Sequence, residues 1–159
     1  MQQGIPAAQI VVSEQQLNDD RPIEINIVTI VKNDVSIKRM INTFQHLANR
    51  FFILDTGSTD ETLTLIQDTI FNEKLPIVLF ERPFENFVHS RNFILNKAYM
   101  YLRNHQTNKQ VIVIVDSDEF LNIDNNLELW KDKLKTIQSN QVFQVEIIDN
   151  ENHYSVNRI

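Results

Sequence analysis

Two scarcities in the 159-residue sequence limit the chemistry of the chain. Cysteine is absent, which excludes a disulfide framework, a thiolate metal site and a cysteine nucleophile, and which fits a reducing compartment. Glycine occurs only twice, as Gly4 and Gly57, which is too few for a Walker loop or for the three-glycine dinucleotide fingerprint. A nucleotide would therefore have to be held by carboxylates and a metal ion.

A basic surface and long apolar runs are also missing. The formal net charge is −6, so the composition offers no basic face to nucleic acid or to an anionic membrane. No apolar run reaches the roughly 18 residues that a membrane helix needs. The amino terminus also lacks the basic and apolar parts of a signal peptide. We therefore expect a soluble cytoplasmic protein with no nucleic-acid partner and no transmembrane segment.

Strand-like and helix-like segments alternate from Ile23 onward, which predicts βαβ units and a mostly parallel sheet with helices on its faces. The predicted strands are 25–31, 51–54, 77–80 and 111–115, and the predicted helices are 37–48, 59–71 and 89–103. The spacing from Ser58 to Glu61 is typical of a capping box that opens the second helix. Five successive apolar residues predict that strand 111–115 is central. Residues 1–22 are assigned to a loose polar lead-in, and 23–159 to one domain.

Beyond residue 120 the pattern predicts one more helix and a hairpin. Leu127, Trp130, Leu134 and Ile137 mark the helix. Segments 142–148 and 154–159 would form the hairpin, with its turn at Asp149 and Asn150.

Acidic residues come directly after three of the four predicted strands. In open parallel sheets, ligands bind at the carboxyl ends of the strands, where these side chains would meet. Asp116 and Asp118 are spaced by one residue after a buried strand, so their carboxylates point the same way. Hard oxygen ligands of this kind suit Mg²⁺ or Mn²⁺ completed by water and substrate phosphates. The alternative is a solvated acidic loop that caps the next helix.

Two other residues have a functional and a structural interpretation. Asp55 could accept hydrogen bonds from a nucleobase or ribose, or it could bond the backbone of its own turn. Arg91 could reach a phosphate or the acidic strand ends, or it could form a surface ion pair.

Four motifs together resemble the family 2 glycosyltransferases. Ile27 to Asp34 and Phe52 to Thr62 resemble the opening of that family. Phe87 to Ala98 is similar to its F-x-x-x-R-N-x-x-L-x-x-A helix, and Val113 to Phe120 resembles its metal-binding D-x-D strand end. Because the motifs occur in the family's order, the set is far more specific than any one of them.

This resemblance implies a GT-A fold, which is a Rossmann-like α/β/α sandwich with a mostly parallel central sheet. It also implies an inverting, metal-dependent transfer of a sugar from a nucleoside-diphosphate sugar, a UDP-sugar being favoured, to an unknown acceptor. The nucleotide-sugar-binding residues would be Val31, Asp34, Asp55, Arg91, Asp116 and Ser117. Asp118, together with Asp116, would bind the Mn²⁺ or Mg²⁺ ion that bridges the diphosphate.

The resemblance also has limits. Glu61 stands where the family usually has glycine. Similar enzymes place the acceptor pocket and the catalytic base in later residues, which we expect beyond Ile159, so this chain would bind donor with little transfer.

Two alternatives differ from the transferase in class. The chain could be a non-catalytic module that binds a nucleotide sugar. It could also use Asp116 and Asp118 as the nucleophile and acid of an aspartyl-phosphate phosphatase, although such motifs sit on the first strand of their domain and need a long downstream stretch.

Overall fold

The computed structural model describes residues 10–12, 21–104, 108–120, 128, 132, 145–149 and 152–156. The strands are β1 (Ile10–Val12), β2 (Ile23–Val31), β3 (Arg50–Asp55), β4 (Ile77–Glu81), β5 (Lys109–Ile114), β6 (Val145–Asp149) and β7 (Asn152–Val156). The helices are α1 (Ile37–Phe44), α2 (Thr62–Asn72) and α3 (Phe87–Leu102).

Strands β1 to β5 form one sheet in the order β1-β5-β2-β3-β4. The four strands β5, β2, β3 and β4 are parallel, and β1 is antiparallel to β5. The predicted α/β class with a mostly parallel sheet is therefore confirmed. Strand β5 is an interior strand but not the middle one, because β2 occupies that place.

Residues 10–12, which lie in the predicted loose lead-in, form strand β1. Val11 pairs with Ile112 of β5, so this segment extends the sheet at one edge. Ile10, Val11 and Val12 are β-branched residues, which favour a strand, so the lead-in includes one short strand.

Alternation along the strands divides the core between the two faces of the sheet. Odd-numbered residues such as Ile27 and Ile53 pack with α1 and α2, and even-numbered residues such as Phe52 and Leu54 pack with α3. The chain therefore has the three layers of an α/β/α sandwich, in which the helices cover the sheet and leave its two ends for polar groups.

The amino-terminal end of the sheet is closed by its own polar side chains. Asn26, on the middle strand, is fully buried. Its Nδ2 donates to Oε1 of Gln110 on β5 at 2.9 Å, and its Oδ1 accepts from Nη1 of Arg50 on β3 at 3.3 Å. These bonds join three neighbouring strands and use the polar side chains of the amino-terminal end. The polar groups that can face a ligand are therefore those of the carboxyl end.

The later part of the chain is described only in part. Strands β6 and β7 form an antiparallel two-stranded sheet, so the predicted pairing of two strands is confirmed. Asp149, predicted to lie in the turn, instead ends β6 and pairs with Asn152. The helix predicted from Leu127, Trp130, Leu134 and Ile137 lies outside the described residues. Within the described part, no helix is long and apolar enough to cross a membrane.

Candidate functional site

The loops after β2 and β3 are joined through Asn33. Its φ of 49° is in the left-handed region, which asparagine tolerates better than most residues. The Asn33 N–H donates to Oγ of Ser58 at 2.9 Å, and its Oδ1 accepts from the N–H of Thr59 at 2.7 Å. Neither bond was expected from the sequence, although the left-handed preference of asparagine is a signal that could have indicated a tight turn.

The predicted capping box is wrong. Helix α2 begins at Thr62, and Glu61 precedes it without a side-chain capping bond. Ser58 is engaged by Asn33, and Oδ1 of Asp60 accepts from the N–H of Thr62 at 3.0 Å. The first turn of the helix is therefore held by Asp60, and Ser58 belongs to the strand-end loops.

Asp55 ends β3 and is only 2% exposed, so this carboxylate lies inside the protein. Its Oδ1 accepts from the N–H groups of Gly57 and Ser58, both at 2.8 Å. Gly57 has a φ of 98°, a conformation that residues with a Cβ rarely adopt. The Oδ2 atom is buried and has no hydrogen-bond partner among the residues that the structure describes. Oδ1 thus bonds the backbone of its own turn, which is the structural role considered above, and Oδ2 can still accept a hydrogen bond.

Val31 contributes its backbone to this edge. Its side chain is 1% exposed and belongs to the core. Its carbonyl oxygen accepts from the N–H of Thr56 at 2.9 Å and from Oγ1 of Thr56 at 3.1 Å. The Val31 side chain therefore faces the core, and its carbonyl is engaged by the neighbouring strand end.

The loops after β2 and β5 meet through Asp34 and Ser117. Ser117 Oγ donates to Oδ2 of Asp34 at 2.5 Å, and the N–H of Ser36 donates to Oδ1 at 2.9 Å. Both oxygens of Asp34 thus accept from protein donors. The contact brings two of the predicted site residues together at the carboxyl end of the sheet.

The acidic loop after β5 is held as a turn. The backbone N–H of Asp116 donates to Oε2 of Glu119 at 3.0 Å, and the N–H of Glu119 donates to the carbonyl of Asp116 at 3.1 Å. Asp118 lies between them and is exposed. The Arg39 guanidinium of α1 lies 3.7 Å from the ring centroid of Phe120, a cation–π contact at the end of the loop. The contributions of Glu119 and Arg39 were not predicted.

The segment between β4 and α3 lies beside the Asp55 turn. The N–H of Arg82 donates to the carbonyl of Asp55 at 3.0 Å, and the N–H of Phe84 donates to the carbonyl of Thr56 at 3.2 Å. The side chain of Asn86 caps α3 by accepting from the N–H of His89 at 2.9 Å. These bonds fix the start of α3 against the loop after β3.

Glu85 gives this segment a local charge network. The Arg82 guanidinium donates to Glu85, and Nδ1 of His89 lies 3.1 Å from the second oxygen of Glu85. The bond from Arg82, followed by that from His89, lowers the pKa of Glu85 below its ordinary value. The carboxylate is therefore favoured in its ionised form near the start of α3.

Arg91 lies just over one turn into α3 and is partly buried. Its Nε is buried and has no hydrogen-bond partner within the described part of the chain. The surface ion pair considered for Arg91 is not among the ion pairs of the described residues. A buried guanidinium N–H without an acceptor is costly, which makes an added anion favourable nearby.

The described residues contain no group of three or more His, Cys, Asp or Glu side chains that could hold a metal ion by themselves. Mg²⁺ is commonly bound by only one or two carboxylates together with water and substrate phosphates. The described residues therefore do not form a complete protein cage, and a cation at this edge would need ligands from water and from a phosphate.

No protein-family profile matches the sequence, and no curated protein sequence is similar to it. Solved structures do match in fold. The structure of S. aureus TarS 1–349 in complex with UDP-GlcNAc matches with 19% identity and a TM-score of 0.53, over 70% of this chain and 30% of that chain. The mannosyltransferase PcManGT from Pyrobaculum calidifontis, in complex with GDP-Man and Mn²⁺, matches with 21% identity and a TM-score of 0.50, over 70% of this chain and 32% of that chain.

The matched part is thus less than a third of the length of either structure. At these identities the likeness concerns the fold, and it agrees with the alternation of parallel strands and helices described above. Over about 70% of its length, the chain has a fold similar to part of a GT-A glycosyltransferase.

Proposed function

We propose that this chain binds a nucleoside-diphosphate sugar, with Mn²⁺ or Mg²⁺, as the donor-binding part of an inverting glycosyltransferase. The observation that carries the proposal is the contact between Ser117 and Asp34, which joins the loops after β2 and β5 at the carboxyl end of the sheet. This is the end at which parallel α/β sheets bind ligands. The structures of similar fold contain UDP-GlcNAc in one case and GDP-Man with Mn²⁺ in the other.

The nucleoside would lie on the side of Asp55. Its Oδ2 is a buried acceptor to which no described residue donates, and an N–H of a pyrimidine or purine base would satisfy it. The backbone beside it is open, because a Cβ added at Gly57 would meet nothing within 4 Å. A base could therefore approach the turn closely, after a small shift that exposes Oδ2.

The diphosphate would lie between the acidic loop and α3. Asp118, with Asp116, would hold the cation, which supplies charge neutralisation of the departing diphosphate when bound. Arg91 would place a permanent positive charge beside the phosphates and gain an acceptor for its buried Nε. Without such charges the acidic residues of this edge would repel a diphosphate.

In the proposed reaction, an acceptor hydroxyl attacks the anomeric carbon and the nucleoside diphosphate leaves from the opposite side. No residue is assigned as the general base. A non-catalytic module that binds the same donor is the second candidate. Release of nucleoside diphosphate that depends on an added acceptor would separate transfer from binding alone.

The first test is ligand-linked stabilisation. UDP, GDP, CDP and TDP would each be added with Mn²⁺ and, separately, with a chelator, and the melting temperature recorded. A ligand at 100 times its Kd stabilises the folded state by about 2.7 kcal/mol, so a clear rise is expected for at least one nucleotide, with UDP favoured. We expect a much smaller rise with chelator, because without the cation the acidic residues of this edge repel the diphosphate.

Matched variants complete the test. Asp118→Asn should abolish the cation-dependent rise. Asp68→Asn, which removes an exposed carboxylate from α2, should leave it unchanged. Equal rises with cation and with chelator would contradict the metal-dependent site, and no rise for any nucleotide would contradict the proposed function.

A further inference from the structure

Asp34 and Ser117 were both expected to bind the donor, yet each is already engaged by the protein. Oδ2 of Asp34 accepts from Ser117 Oγ at 2.5 Å, and Oδ1 accepts from the N–H of Ser36 at 2.9 Å. Asp34 is partly buried, and the two residues are 83 positions apart in the chain. A hydroxyl that donates to a carboxylate over so short a distance forms a strong, charge-assisted hydrogen bond.

The acidic loop has a second attachment close by. Phe120, three residues after Ser117, lies under the Arg39 guanidinium. Both attachments join the loop to the region of α1, one just before the helix and one on it. Asp118 lies between them and is exposed. The loop is thus fixed on both sides of the carboxylate to which we assign the cation.

We propose that Asp34 and Ser117 are positioning residues, which hold the acidic loop in the conformation that presents Asp118 to the cation and the diphosphate. This inference rests on the proposed function. A free loop would have to be ordered when the ligand binds, and that ordering weakens the observed affinity. The bond between Asp34 and Ser117 removes part of this loss before the ligand arrives.

A role as donor ligand and a role as positioning residue predict different effects of the cation on nucleotide affinity. A donor ligand contributes to nucleotide affinity whether or not the cation is present. A positioning residue of the acidic loop contributes only to the part of the affinity that depends on the cation, because that part acts through Asp118. The ratio of the nucleotide Kd with chelator to the Kd with Mn²⁺ therefore separates the two roles.

The experiment measures this ratio by calorimetry with UDP, or with whichever nucleotide stabilises the protein most. Ser117→Ala should weaken binding with Mn²⁺ by about tenfold, which corresponds to the loss of one hydrogen bond to a charged group, and should leave binding with chelator unchanged. Ser117→Thr keeps the hydroxyl and should restore most of the ratio. Thr64→Ala removes an exposed hydroxyl from α2 and serves as the matched control.

A double-mutant cycle tests the bond itself. Asp34→Ala also removes the acceptor for the Ser36 N–H, so its effect alone is not specific. If the bond carries the effect, adding Ser117→Ala to Asp34→Ala should cause little further change in the ratio. A full additional tenfold loss would overturn the inference, and so would an unchanged ratio in Ser117→Ala.

Hydrogen exchange gives a readout that needs no ligand. The amides of residues 116–120 should exchange faster in Ser117→Ala than in the wild type, and those of β2 should not change. Absence of metal-dependent nucleotide binding in the wild type would contradict the proposed function alone. Unchanged exchange in the loop would contradict the positioning role, whatever the binding result.

Discussion

The two oxygens of the Asp55 carboxylate have different surroundings. Oδ1 accepts hydrogen bonds from two backbone N–H groups of the turn, whereas Oδ2 is buried and has no partner in the described part of the chain. A buried acceptor that lacks a bond reduces stability. Its presence is understandable where a ligand supplies the missing donor, and Asp55 therefore combines a structural with a proposed binding role.

Substitutions at Asp55 should separate these roles. Asp55→Ala leaves the N–H groups of Gly57 and Ser58 without their acceptor, so we expect the free energy of unfolding to fall by about 1–3 kcal/mol. Asp55→Asn keeps an acceptor for the turn and should cost less, but it replaces the proposed base acceptor with a donor. Urea unfolding gives the stability, and calorimetry gives the nucleotide affinity.

The outcomes are distinct for the two substitutions. Loss of nucleotide affinity in Asp55→Asn, with most of the stability retained, is the expected result. If Asp55→Asn binds nucleotide as the wild type does, Asp55 acts only in the turn.

The sequence predicted that Asp55 and the acidic loop lie at the carboxyl end of the sheet because they stand at the ends of apolar strand segments. It could not identify the role of Ser58. The spacing of a capping box is the same whether or not a helix starts there, and the competing bond comes from Asn33, on another strand end. The attachment of Phe120 by Arg39 was missed for the same reason, since it joins two distant segments.

Helix α2 is followed by a non-glycine residue, Lys74, in the left-handed conformation that glycine adopts more easily. Helix α2 ends at Asn72, Glu73 is its C-cap, and Lys74 follows with a φ of 53°. This is the position at which many helices have glycine, because a Cβ disfavours the left-handed conformation. The side chain of Lys74 is exposed.

We therefore expect Lys74→Gly to stabilise the protein. Relief of left-handed strain of about 1–2 kcal/mol exceeds the added flexibility of glycine in the unfolded chain, so a net gain of about 0.5–1 kcal/mol should appear in urea unfolding. Asn72→Gly, in the last helical turn, is the matched control and should destabilise. A loss of stability in Lys74→Gly would contradict the conformational explanation.

The elements themselves were mostly predictable. The interior strands were placed within about two residues because continuous apolar runs are typical of strands buried on both faces. A continuous apolar run indicates that a strand is buried, but it does not indicate the position of that strand in the sheet. For this reason β5 was predicted to be central, although β2 is the middle strand. The start of α2 was less accurate, because Ser58, the predicted cap, bonds across the loops to Asn33.

The whole molecule has a core on each face of the sheet. Ile27 of β2 packs on the side of α1 and α2, and Ile94 of α3 packs on the opposite side. Both side chains are fully buried. If both faces contribute to one cooperative structure, equal changes on the two faces should have similar costs.

We expect Ile27→Val and Ile94→Val each to lower the free energy of unfolding by about 0.5–1.5 kcal/mol. Their sum should equal the loss in the double variant, because the sheet separates the two sites. Val35→Ala, at an exposed position, should change stability by less than about 0.5 kcal/mol. A negligible loss for one of the two isoleucines, measured by urea unfolding, would show that only one face is essential.

The order of strands in space also determines when the sheet can be completed during synthesis. Of the five strands, β1 is synthesised first and its partner β5 is synthesised last. Val11 therefore cannot pair with Ile112 until β5 has been made. Domains begin to fold as they leave the ribosome, and contacts between distant segments form slowly. Strands β2, β3 and β4 can associate early, with β1 unpaired. The arrival of β5 then completes the five-stranded sheet and, in the same step, brings the acidic loop to Asp34. The proposed site therefore cannot exist before this sheet is complete.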